Sequence, residues 1–92
     1  MHIGAHAVVS QRSYLCAADH DAAQPDFPLR ERAVRIEDGA WVAADVFVGP
    51  GVTVGREAVV GARSSVFRSL PPAMVCHGNP CRPVRPRVAP PA

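Results

Sequence analysis

An aliphatic residue opens every six-residue block from position 36 to 71: IEDGAW, VAADVF, VGPGVT, VGREAV, VGARSS and VFRSLP. The fifth position holds Ala40, Val46, Val52, Ala58, Ser64 and Leu70, small or apolar in each block. First and fifth positions are separated by an even number of residues, so on extended backbone both face the same side. An uninterrupted strand would also bury the third position, which holds Asp38, Ala44, Pro50, Arg56, Ala62 and Arg68. The chain must therefore turn there. Gly49, Gly55 and Gly61 at the second position, with Pro50 and Gly51 beside them, are expected to supply the backbone freedom of the corners. A helix is excluded, because apolar residues three and four apart are not sustained and Gly and Pro recur inside the run.

The same period opens the chain as IGAHAV, VSQRSY and LCAADH, then breaks at DAAQPDFPLRERAVR, where Pro25 and Pro28 mark an inserted loop. With three blocks before the loop and six after it, at three per turn, the expectation is an all-β parallel β-helix of three coils. One domain is expected over residues 1–92: a coil at 3–20, an extruded loop at 21–35, coils at 36–71 and an irregular Pro-rich tail at 72–92. A core for this fold must come from aliphatic residues, since 48% of the chain is apolar but only 5% aromatic.

Charge and cysteine content narrow the possible functions. Net charge is +2, too small for bulk attraction to nucleic acid or membrane, and stacking aromatics are few. The charge is uneven, however. Beyond Glu57, the last acidic residue, stand Arg63, Arg68, Arg82, Arg85 and Arg87, planar forks suited to phosphate if they are not a solvated tail. Cys16, Cys76 and Cys81 lack the paired spacing of a zinc site and are odd in number, so neither a metal nor a disulfide framework is expected. There is no signal-peptide pattern and no apolar run long enough for a membrane span, which makes the cytoplasm the default location.

Three segments together resemble the hexapeptide-repeat acyltransferases: LCAADHD leading into PDFPL, IEDGAWVAADVFVGPGVTVGREAVVGARSSV, and LPPAMVCHGNPCRPVRPR. The similarity is greatest to the sugar O-acetyltransferase branch, which includes maltose and galactoside acetyltransferases and candidate colanic acid acetyltransferases. The resemblance implies a left-handed coil, acetyl-coenzyme A as co-substrate, a sugar acceptor and a homotrimer with sites between adjacent subunits. Family members are about twice this length, so the chain is expected to be N-terminally truncated.

His20 matches the family's catalytic histidine, and an imidazole is suited to take a proton from an acceptor hydroxyl. Asp19 interrupts the inward pattern beside it. Asp19 or Asp21 is a candidate to orient the ring or bind a sugar hydroxyl, with simple loop polarity as the alternative. The resemblance places the thin pantetheine arm of coenzyme A along Ala43, Ala44, Gly61 and Ala62, small residues that the repeat alone also explains. It places the nucleotide phosphates near Arg68, Arg82 and Arg85, the last two following the Gly78-Asn79-Pro80 turn. Trp41 is expected to pack under the loop. The expected activity is O-acetyl transfer with His20 as general base; the alternative is an inactive solenoid with only an assembly role.

Overall fold

The computed structural model describes residues 1–88, and every regular element in them is a β-strand. A first circuit consists of β1 (His2–Ile3), β2 (Val8–Val9) and β3 (Tyr14–Leu15). A hairpin of β4 (Ala18–His20) and β5 (Leu29–Glu31) follows. The second circuit is β6 (Arg35–Ile36), β7 (Trp41–Val42) and β8 (Phe47–Val48), and the third is β9 (Thr53–Val54), β10 (Val59–Val60) and β11 (Ser65–Val66). The chain closes with β12 (Met74–Gly78) and β13 (Cys81–Pro86).

Three sheets form the faces of a prism. The first face is β1-β6-β9, the second β2-β7-β10-β12-β13 and the third β3-β8-β11. All neighbours in these faces are parallel except β12 and β13. The register stacks first-position residues on one another: Ile3 on Ile36 on Val54, Val9 on Val42 on Val60 on Cys76, and Leu15 on Val48 on Val66. Leu70 bridges to Val54 and begins a further circuit on the first face. This is a parallel β-helix whose six-residue period is one face per repeat.

The core contains the first and fifth positions. Ile36, Ala40, Val42, Val48, Val54, Ala58, Val60 and Val66 are fully buried. Each such valine stabilises the fold by about 1.5–3 kcal/mol relative to leaving it exposed. The first circuit is different: Ile3 is 50% exposed although its stacking partner Ile36 is not exposed at all, because β1, β2 and β3 each end their sheet.

The corners depart from expectation. In seven of the nine blocks the residue with left-handed backbone is the fourth, not the second or third: His6, Arg12, Gly39, Asp45, Gly51, Glu57 and Arg63 all have positive φ. The cost, about 1–2 kcal/mol at a non-glycine residue, is offset by a hydrogen bond to the preceding circuit. The N–H of Gly39 donates to Ala5 O at 2.9 Å, Asp45 to Gln11 O at 3.1 Å, Glu57 to Asp38 O at 2.9 Å and Arg63 to Ala44 O at 3.0 Å. The second-position glycines serve a different purpose. A Cβ on Gly55 would stand 2.6 Å from Pro72 N and 2.8 Å from Leu70 O, so the circuit above leaves no room for a side chain.

Two boundaries also shift. The expected coil 3–20 and loop 21–35 become a coil that departs at Cys16–Ala17 and a hairpin that begins with β4. The prism resumes at Val34, fully buried two residues before Ile36, as Ala40 is before Val42. The expected irregular tail is an antiparallel hairpin on the end of the second face, with Cys76 and Cys81 buried beneath it. Pro83 and Pro86 are compatible with it because β13 is an edge strand, where a missing N–H costs no ladder bond. Residues 89–92 of the expected tail lie outside the described residues.

Candidate active site

The β4–β5 hairpin leaves the prism where the third face turns toward the first. Its base is closed by Arg32 N–H donating to Ala17 O at 2.8 Å, and its ladder pairs Ala18 with Glu31, Asp19 with Arg30 and His20 with Leu29. Successive turns fold the tip: Asp21 N–H donates to Pro28 O at 2.9 Å, and Phe27 N–H to Gln24 O at 3.1 Å. Asp21 Oδ1 accepts the Ala23 N–H at 3.0 Å, which fixes the first of these turns.

This tip carries His20 back over its own backbone. His20 Nδ1 lies 2.7 Å from the carbonyl oxygen of Phe27. A carbonyl can only accept, so Nδ1 is the protonated nitrogen, and in the neutral ring Nε2 retains the lone pair. The side chain is exposed. His20 is therefore a tethered imidazole whose basic nitrogen is directed away from its anchor.

Neither neighbouring acid contacts it. The Asp19 carboxylate accepts a two-pronged bond from Arg30, at 3.1 and 3.0 Å, and lies 3.5 Å from Arg32. These pairs hold the two hairpin strands together, each half-exposed and worth about 0–1 kcal/mol. Asp21 is engaged in the turn. The contact that orients the ring is the backbone carbonyl of Phe27, a partner with no side-chain signature in the sequence.

The remaining candidates fall on different parts of the prism. Ala43 and Gly61 stack on the edge between the second and third faces, where Ala43 N–H donates to Val60 O at 3.0 Å and Gly61 N–H to Cys76 O at 2.8 Å. Ala44 and Ala62 follow at the corner, half-buried and exposed respectively. Gly61 has a structural reason to be glycine, since a Cβ there would lie 3.0 Å from His77 Cβ. Arg68 and Arg82 come together around a cavity of about 160 Å³ with Phe67, Pro80 and Cys81, while Arg85 sits farther along β13 opposite Val75. Among the described residues none of these three arginines has a carboxylate at ion-pair distance.

Arg87, expected to share that unpaired charge, is engaged instead. Its Nη1 donates to Gly39 O at 3.0 Å, to Glu57 O at 3.1 Å and to Glu57 Oε2 at 3.3 Å. Trp41 lies on the outer side of the second face, 46% exposed, with its indole N–H donating to Ser10 Oγ at 3.0 Å, so packing under the loop does not describe it. Cys76 and Cys81 are buried in the closing hairpin. Burial, with a smaller effect of Cys81, pushes the Cys76 thiol up to about 11, and burial also raises Cys81. Among the described residues no group of three or more His, Cys, Asp or Glu could hold a metal ion. No helix among them is long and apolar enough to cross a membrane.

No protein-family profile matches the chain. It is 55% identical over 86 residues to WcaF of Escherichia coli strain K12, a candidate colanic acid biosynthesis acetyltransferase; the match covers 94% of this chain and 47% of that one. Among solved structures it is similar to a galactoside acetyltransferase in complex with coenzyme A, at TM-score 0.85 and 28% identity over 91% of this chain and 44% of that one. The fold alone is also that of a hexapeptide-repeat acetyltransferase from Vibrio cholerae complexed with acetyl-coenzyme A, at TM-score 0.80 and 24% identity, covering 95% and 60% of the respective chains. The chain spans about half the length of the curated relatives it matches first.

Proposed function

Over the residues it shares with these relatives the chain belongs to the hexapeptide-repeat acetyltransferase family, and on that premise we propose that it forms the donor-binding and base-bearing part of a sugar O-acetyltransferase. The observation that carries this reading is His20, held by Nδ1 with Nε2 free. In the proposed reaction Nε2 takes the proton of an acceptor hydroxyl as that oxygen attacks the thioester carbonyl carbon of acetyl-coenzyme A. The carbon–sulfur bond then breaks, Nε2 returns the proton to the departing sulfur, and the products are an O-acetyl sugar and free coenzyme A. The Phe27 carbonyl supports this by fixing the tautomer and by favouring the imidazolium that forms midway. Asp19, expected in the site, is assigned to the shape of the hairpin.

Arg68 and Arg82 are assigned to the donor's phosphates, with Arg85 beyond them, because the two border one cavity and lack carboxylate partners among the described residues. Ala43, Ala44, Gly61 and Ala62 are assigned to the pantetheine arm, which requires an edge without bulk. Small-residue edge, arginine cavity and His20 hairpin arise from different parts of one prism. A homotrimer with the family's left-handed winding, each site built between two copies, is the assembly that unites them. Use of that thioester, rather than any feature of the fold, assigns the reaction to the cytoplasm. The acceptor class is a sugar or polysaccharide precursor.

The test is release of free thiol from acetyl-coenzyme A across a panel of sugar acceptors. His20→Ala should lower the rate about 10²–10⁴-fold; an unchanged rate would remove the proposed base. The competing reading is an inactive solenoid with only an assembly role. Sedimentation separates the two readings. A discrete trimer that binds coenzyme A supports the enzyme, whereas polydisperse aggregates without binding support the alternative.

A further inference from the structure

A cavity of about 480 Å³, larger than the one at Arg68 and Arg82, opens where the first face turns toward the second, and none of the residues assigned above lines it. Its walls are His2, Arg35, Glu37, Asp38, Arg56 and Pro72. Arg35 stands in β6 between His2 and Thr53 in the register, and Arg56 stands at the corner that follows β9. Both arginines are exposed and line this space. Although Glu37 and Asp38 line the same cavity, neither arginine lies within ion-pair distance of a carboxylate among the described residues. Asp38 is committed elsewhere, its Oδ1 accepting the Ala5 N–H at 2.8 Å.

Charges of both signs thus face an open space instead of one another. Two planar forks suit an anionic group, carboxylate or phosphate, whereas a carboxylate and an imidazole suit hydroxyls. No phenyl, phenol or indole ring lines the cavity, so its lining is built for polar contacts rather than for a large apolar face. We propose that this cavity binds an anionic saccharide, its acidic group held by Arg35 and Arg56 and its hydroxyls by Glu37 and His2. The assignment does not rest on acetyl transfer, since it concerns a different edge of the prism and is read by binding.

The experiment is a titration of the isotope-labelled chain, followed by amide chemical shifts, with glucose 1-phosphate and with glucuronate in separate arms. Neutral glucose and inorganic phosphate are the controls. Saturable shifts at Glu37, Asp38 and Arg56 with either anionic sugar are expected, and the arm that responds identifies the acidic group as phosphate or carboxylate. Arg35→Gln and Arg56→Gln should each weaken binding about tenfold or more, as loss of a charge-assisted bond does. Both positions are exposed, so unchanged spectra away from the cavity will show that the variants remain folded. Absence of saturable shifts in both arms would overturn the proposal. So would affinity untouched by both substitutions, or equal binding of glucose or inorganic phosphate.

Discussion

At the scale of single residues, the candidate site depends on one backbone contact and the hairpin on one carboxylate. His20 stood out in the sequence through its match to the family's catalytic histidine; its contact with the Phe27 carbonyl did not, because a carbonyl carries no side-chain identity. Asp19 was legible only as an anomaly, and its contacts with Arg30 and Arg32 explain the anomaly without catalysis. Asp19→Asn should therefore leave thiol release within a few-fold of the parent and cost about 1 kcal/mol or less, as measured by chemical denaturation. A loss as large as that of His20→Ala would return the acid to the chemistry. The cysteines give a second prediction. Cys76 and Cys81 are buried and their thiols raised, whereas Cys16 is only partly covered. Since the thiolate is the reactive form, alkylation at about pH 8 should label Cys16 first and reach the other two only on unfolding, a sequence that mass spectrometry resolves.

At the scale of the element, the repeat was read correctly as strand and corner, but the reasons for its glycines were not. Composition cannot distinguish a glycine needed for its φ from one needed for its missing Cβ. The structure places the first kind at Gly39 and Gly51 and the second at Gly55 and Gly61. Opposite outcomes follow for small substitutions. Gly55→Ala forces a methyl group against fixed backbone of the circuit above and should cost about 1–3 kcal/mol. Ala73→Gly, at φ 58°, relieves left-handed backbone in a residue whose side chain is exposed, and should stabilise by about 0.5–1 kcal/mol. Thermal denaturation of the pair would test the distinction. Non-glycine corners also carry the pair of Arg12 and Asp45, 2.7 Å apart. The hydrogen bond from Arg12 holds the Asp45 carboxyl below its ordinary 3.8. Its contribution is therefore present above about that pH and is lost as pH falls through the lowered value. Arg12→Gln should lower the neutral plateau of a stability–pH curve slightly and leave its most acidic end unchanged, so the acid limb flattens.

At the scale of the whole molecule, a six-residue period foretold a stack of parallel circuits around an aliphatic axis. It could not foretell how the stack ends, since ends are by definition where the period stops. The closing hairpin was hidden by its prolines, which are tolerated because β13 has a neighbour on one side only. The opening circuit kept the period but not the burial. These two ends make the stack of circuits unequal along its axis. At one end Arg87 joins successive circuits, its guanidinium on Gly39 and Glu57 and its N–H on Ala73 O at 2.8 Å. At the other, each strand has a single neighbour and Ile3 stands half in water. Arg87 thus works as a clasp across the stack: removal of its guanidinium should let deuterium enter the amides around Gly39, Glu57 and Ala73 sooner than in the parent chain.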